Sequence, residues 1–152
     1  MGKKFVADAM LGKLAKWLRV MGYDVRYQSH YPSGLIDRLV RNEARTLLSR
    51  RLKTVAGYQD AFLITADSVR EQLLEMKIRG LLTLGRSSWF TRCLRCNTLL
   101  KEATLEEASF NIPDYVLNEK VGKISVCPSC GRYYWPGTHR VRMEKQLEEW
   151  GF

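Results

Sequence analysis

The strongest constraint on this chain is the placement of its four cysteines, which fall in the last 60 residues as two Cys-x-x-Cys pairs, Cys93/Cys96 and Cys127/Cys130. Each pair can deliver two thiolates from one tight turn, and two such turns complete a tetrahedron around Zn²⁺. Asn97 follows the first pair and Gly131 the second, both residue types that tolerate the left-handed backbone of a metal knuckle. The 30 residues between the pairs exceed the roughly 15–20 of the common pattern, so a hairpin or loop has to be inserted between the knuckles. Four ligands close the coordination shell, so the zinc is expected to be structural, with no position open to water. His139, beside Gly137-Thr138, is expected to be a surface or RNA-contacting group rather than a substitute ligand.

At 152 residues the chain can build one ordinary domain plus a small appendage, so a metal is not needed to rescue a very small fold. Hydrophobic residues at 45% and charged residues at 27% are globular proportions and argue against a disordered chain. No apolar run approaches the ~20 residues that span a bilayer, and Lys3-Lys4-Phe5-Val6-Ala7 is not the start of a secretory leader. A cytoplasmic protein with no membrane partner is expected, and a reducing compartment leaves the thiolates to metal rather than to disulfides.

Lys3 to Asp8 reads as a short buried strand, after which Leu11, Leu14, Ala15 and Leu18 recur with helical spacing up to a stop at Gly22. Asp24 to Gln28 can form the next strand, and Tyr31-Pro32-Ser33-Gly34 a turn. Ile36, Leu39 and Val40 have helical spacing, Thr46 to Ser49 is an apolar strand, Ala61 to Thr65 another, and residues 68–79 a helix stopped at Gly80. Strands alternating with helices imply a largely parallel sheet with helices on its faces. Near Ser87-Ser88-Trp89 the pattern changes to paired cysteines, turns and aromatics. Residues 1–88 are therefore expected to form an α/β domain and residues 89–152 a zinc ribbon ending in a helix over Val141 to Trp150.

Charge is unevenly placed. Residues 1–88 carry 16 Lys and Arg against 8 Asp and Glu, a net +8, whereas residues 89–152 carry 9 against 8, a net +1. A basic domain suits a polyanion such as RNA or DNA, although basic charge also serves solubility alone. Lys13, Lys16 and Arg19 on the first helix can meet phosphates or simply form its wet face. Tyr133, Tyr134 and Trp135 can stack on bases or cover a small core.

Asp8 ends an apolar strand, where an acid needs a partner or a metal, and the carboxyl ends of parallel strands are where ligands bind. Asp37 starts the second helix, Glu43 lies near that helix's end, and Asp67 follows the strand at Ala61 to Thr65. Carboxylates clustered at such edges can hold Mg²⁺ or Mn²⁺ for phosphodiester hydrolysis. By spacing alone, Asp37 reads equally well as a helix N-cap and Glu43 as a solvated helix residue.

Phe5-Val6-Ala7-Asp8, together with Leu11-Gly12-Lys13-Leu14-Ala15-Lys16-Trp17-Leu18-Arg19-Val20-Met21-Gly22-Tyr23-Asp24-Val25, resembles the start of the Mut-seven C-terminal RNase domain family. Asp37, Glu43-Ala44-Arg45 with Leu47-Leu48-Ser49-Arg50, Glu71-Gln72-Leu73, Arg92-Cys93 with Cys96-Asn97, and Cys127-Pro128 with Cys130-Gly131 follow in family order. Tyr134-Trp135-Pro136-Gly137-Thr138-His139 closes the resemblance, which covers essentially the whole chain. It implies a PIN-like α/β sheet flanked by helices, a small C-terminal zinc ribbon, and metal-dependent ribonuclease activity. Asp8 and Asp37 match acidic positions of the family, but after Ser49-Arg50 the family usually has an acid where this chain has Arg51.

Two functional readings follow. In the first, an endoribonuclease uses Asp8 and Asp37, assisted by Glu43 or Asp67, to hold Mg²⁺ or Mn²⁺, while the ribbon helps hold RNA. In the second, a guanidinium at Arg51 reverses the charge beside the metal, and the chain is an RNA-binding or adaptor module without catalysis. Arg50 and Arg51, with Trp135 and His139 of the ribbon, are then contacts to the nucleic acid.

Overall fold

Four short strands pair in parallel in the computed structural model, which describes residues 2–118 and 123–152. Strand β1 (Phe5–Ala7) lies between β2 (Val25–Tyr27) and β3 (Thr46–Ser49), and β4 (Ala61–Leu63) adds beside β3, giving the order β2-β1-β3-β4. Phe5, Val6, Ala7, Leu47 and Leu48 are all fully buried. Burial on both faces is what a parallel sheet covered by helices demands, and it is why these strands read as unbroken apolar runs. The register sets Ala7 against Leu48 and Ser49 against Leu63. Asp8, Ser49 and the segment after Leu63 therefore share one carboxyl-terminal edge.

A single 3₁₀ turn, Ala9–Leu11, leads from β1 into helix α1 (Gly12–Val20), whose Leu14, Ala15 and Leu18 form the buried stripe. The helix stops at Gly22, which has φ of +96°. The Gly22 N–H donates to Arg19 O and the Tyr23 N–H to Leu18 O, both at 3.0 Å, a pair of bonds that satisfies the last carbonyls. Helix α2 (Leu35–Arg41) lays Leu39 and Val40 on Val6 and Leu47. Helix α4 (Val69–Ile78) is capped by Ser68 and ends before Gly80, at φ of +74°. Between them, the four-residue α3 (Leu52–Val55) has no sequence signature: its Leu52 is 68% exposed, so no apolar stripe marks it. The α/β architecture with a four-stranded parallel sheet flanked by helices is the one expected from the alternating pattern.

The chain divides into two compact units, Met1–Asn97 and Thr98–Phe152. Residues 89–97, grouped with the ribbon on composition, thus belong to the first unit. The second holds an antiparallel sheet of β5 (Lys101–Glu102), β6 (Ser125–Val126) and β7 (Tyr133–Tyr134) in the order β5-β6-β7. The insertion expected as a hairpin or loop carries two short helices, α5 (Leu105–Ser109) and α6 (Asp114–Asn118). A capping box between Thr104 and Glu107 starts α5, and Ala108, Ile112, Val116 and Ile124 make a small core. The last helix, α7 (Thr138–Glu149), buries Met143 and Leu147. No helix among the described residues is long and apolar enough to cross a membrane.

Candidate functional site

The cysteine spacing translates directly into geometry. The Sγ atoms of Cys93, Cys96, Cys127 and Cys130 all lie within 4.8 Å of one another. Thiolates about 2.3 Å from a tetrahedral zinc stand about 3.8 Å apart, so the donor set fits that ion in number, chemistry and spacing. The two turns are built alike: Asn97 N donates to Cys93 O and Gly131 N to Cys127 O, each at 2.9 Å. Both turns close on a left-handed residue, Asn97 at φ of +68° and Gly131 at +76°. In the first, the Cys96 N–H also points at Cys93 Sγ, at 3.4 Å. Cys93 and Cys127 are buried and Cys130 is exposed.

Buried and half-buried polar side chains anchor the first turn within its own unit. The Asn97 side chain accepts from Val25 N (2.9 Å) and donates to Asp24 Oδ1 (2.6 Å). Arg92 donates to Gly22 O (3.0 Å) and Asn97 O (2.9 Å). Arg19, expected at a phosphate or on the wet face of α1, is instead 7% exposed and takes no part in a solvent-facing surface. It donates to Val25 O through Nε (3.0 Å) and Nη2 (2.8 Å), and to Leu94 O (3.0 Å) and Arg95 O (3.3 Å) through Nη1. Helical spacing from Lys13 and Lys16 suggested a common face, but the end of α1 is covered, and only Lys13 and Lys16 are exposed.

At the carboxyl-terminal edge of the parallel sheet, the Asp8 carboxylate accepts from Ala9 N through Oδ1 and from Ser49 Oγ through Oδ2, both at 2.7 Å. Ser49, fully buried, in turn accepts from Arg51 N at 3.1 Å. Next to them, Arg50 donates to Asp67 Oδ1 (2.6 Å) and Thr65 O (3.3 Å). Tyr31 donates to Ala7 O at 2.6 Å, and burial pushes its pKa up to about 12, so it remains a hydrogen-bond donor beside Asp8.

The other expected acids are placed differently. Asp37 sits in the first turn of α2 rather than at its N-cap, which is Gly34, and it accepts from Arg41 Nε (2.8 Å) and Tyr58 OH (3.4 Å). Glu43 precedes β3, at the end of the strands opposite Asp8, and its carboxylate meets Arg45 (3.0 Å) and Arg26 (3.7 Å). Among the described residues, the four cysteines are the one group of three or more potential ligands whose ligand atoms converge. Asp8, Asp37, Glu43 and Asp67 do not close a cage around one cation; of them, Asp8 and Asp67 lie at the carboxyl-terminal edge.

Of the proposed nucleic-acid contacts, Arg51 and His139 are exposed, and Arg50 and Trp135 are half-buried. Trp135 packs against the Ala108–Ile124 core, in line with the covering role of that aromatic cluster. Ser49 stood in the family motifs without a stated role, and Asn97 was expected only as the left-handed residue of a metal turn, not as a side-chain partner of Val25 and Asp24. A small polar residue closing an otherwise apolar strand was the available signal for Ser49, and for Asn97 its position directly after the cysteine pair.

Neither the comparison with curated proteins nor that with solved structures found a match. The model of the Mut7-C RNAse domain matches residues 3–147, nearly the whole chain, and includes both the Asp8 edge and the four-cysteine site. This chain belongs to the Mut7-C RNAse domain family.

Proposed function

We propose that this protein is a metal-dependent ribonuclease whose reaction takes place at the carboxyl-terminal edge of the parallel sheet, on Asp8. The observation that carries this reading is the Asp8 carboxylate, fixed by Ser49 and Ala9 N, at the end of a fully buried strand in a chain of an RNase family. An ionised carboxylate has about four acceptor positions, so two hydrogen bonds orient Asp8 without exhausting it. Mg²⁺ is commonly held by one or two carboxylates plus substrate phosphates, so Asp8, on the same carboxyl-terminal edge as Asp67, suits an ion completed by RNA rather than a closed protein cage. When bound, such an ion supplies Lewis-acid polarisation of the phosphodiester and neutralises developing charge. The chain's own residues do the rest: Ser49 orients Asp8, Arg51 meets a flanking phosphate, and Lys13 and Lys16 extend the basic surface. The four-cysteine site holds a structural zinc, the C-terminal part of the chain assists RNA binding, and a reducing cytoplasm keeps the thiolates available.

Purified protein with Mn²⁺ is expected to cleave RNA, and Asp8→Asn to lower the rate at least 100-fold, on the scale of losing a catalytic carboxylate. Equal cleavage by both proteins would sink the reading.

A second reading rests on Arg51, exposed and at the start of α3 where the family motif has an acid. Here the domain binds RNA without cutting it. Binding then persists in EDTA and falls steeply with salt, since phosphate contacts dominate such affinity. Asp8-dependent cleavage would eliminate this alternative.

A further inference from the structure

Strand β2 is the edge of the parallel sheet, and an edge strand leaves outward-facing N–H and C=O groups that need partners. Its inner side is occupied, since Phe5 N donates to Asp24 O at 2.8 Å. The outward groups at Val25 are met by side chains: its N–H by Asn97 Oδ1 and its carbonyl by two guanidinium nitrogens of Arg19. Both of these side chains also hold the Cys93–Cys96 turn. Asn97 is its last residue, hydrogen-bonded through its backbone to Cys93 O, and Arg19 binds the carbonyls of Leu94 and Arg95 within it. Arg92 completes the link by tying Gly22 O to Asn97 O. The metal turn thus stands where a fifth strand would otherwise pair.

We propose that Arg19, Arg92 and Asn97 are positioning residues for the metal, fastening the Cys93–Cys96 turn to Val25 so that zinc occupancy and order at this sheet edge form one cooperative event. The physical reason is that releasing the turn takes Asn97 Oδ1 from the Val25 N–H and the Leu94 and Arg95 carbonyls from Nη1 of the buried Arg19, and unsatisfied buried polar groups are costly. Residues behind the ligands of a metal site typically change its affinity 10–100-fold when removed. By linkage, whatever the sheet edge contributes to zinc affinity, zinc returns to the sheet edge.

The test uses the full chain with zinc loaded and then removed by chelation, followed by amide hydrogen exchange. Val25 is expected to exchange faster by about 10–100-fold once zinc is gone, the counterpart of the affinity change. Loss of protection at Val25, alone or with the rest of the sheet, supports the proposal. Unchanged Val25 protection overturns it, as does a protein that takes up no zinc. Asn97→Gly keeps the left-handed backbone and removes only the side chain, so in competition with a chromophoric chelator it is expected to bind zinc about 10–100-fold more weakly. Wild-type zinc affinity in Asn97→Gly would assign Asn97 to turn conformation alone and overturn its positioning role. Arg19→Lys, which keeps the charge and loses the fork, is expected to weaken zinc as well. None of these outcomes depends on whether the protein cleaves RNA.

Discussion

Arg45 lies just before β3, 7% exposed at its side chain, and donates to Asp24 (2.8 Å), Glu43 (3.0 Å) and the carbonyl of Phe5 (3.1 Å). The arrangement satisfies a guanidinium that water cannot reach, and it explains why Glu43 is spent on structure. Breaking a mostly buried pair leaves one charge uncompensated, so Arg45→Met is expected to cost about 3 kcal/mol, read as a lower urea midpoint with unchanged slope. Asp24 yields a pH prediction. Burial pulls its pKa up, but hydrogen bonds from Arg45 and Asn97 outweigh this and hold it below the ordinary 3.8. A carboxyl with a depressed folded pKa contributes stability that is fully present above its unfolded pKa and is lost as pH falls through the folded one. Asp24→Asn should therefore be less stable at pH 7 and lose less between about pH 4 and 2 than the wild type, as chemical unfolding across that range will show.

At the scale of elements, what ends a helix matters as much as what forms it. Gly22 lets α1 turn back toward β2, and a Cβ there would overlap the backbone oxygen of Ser88 in addition to requiring φ of +96°. A left-handed non-glycine residue alone costs about 1–2 kcal/mol, and the overlap is with backbone, so Gly22→Ala should destabilise by ~2 kcal/mol or more in thermal or urea unfolding. Short α5, by contrast, depends on its Thr104–Glu107 capping box. Thr104→Ala is expected to cost about 1 kcal/mol, seen as faster amide exchange confined to the α5 amides.

For the molecule as a whole, the net +8 of residues 1–88 is a field rather than a site, and it governs encounter with a polyanion more than chemistry. RNA affinity should fall linearly on a log–log plot against salt, with a slope of about −0.7 per single-strand phosphate contacted. Arg51→Ala, which removes an exposed cation at the Asp8 edge, is expected to flatten that slope by about 0.7. An unchanged slope would place the RNA away from that edge, and both readings of Arg51 would have to be abandoned.

Much of this was written in local sequence. The two Cys-x-x-Cys pairs imply two metal turns because ligand spacing within a tight turn is a local property, and Asn97 and Gly131 mark their left-handed ends. Apolar runs alternating with helical stripes imply a covered parallel sheet because each periodicity reports the surroundings of its own element. Which polar groups meet was decided only by the tertiary structure. Ser49 reaches Asp8 across 41 positions, Asn97 reaches Val25 across 72, and Arg19 reaches Leu94 across 75. Such pairings depend on strand order and register, which no short window contains. The same is true of the acids: Asp8 follows its strand and Glu43 precedes the next, but only the parallel pairing of those two strands puts one acid at the carboxyl ends of the sheet and the other at the amino ends. Burial of Arg19 likewise follows from what packs over the end of α1, and a helix cannot state in its own sequence which of its polar faces a neighbour will cover.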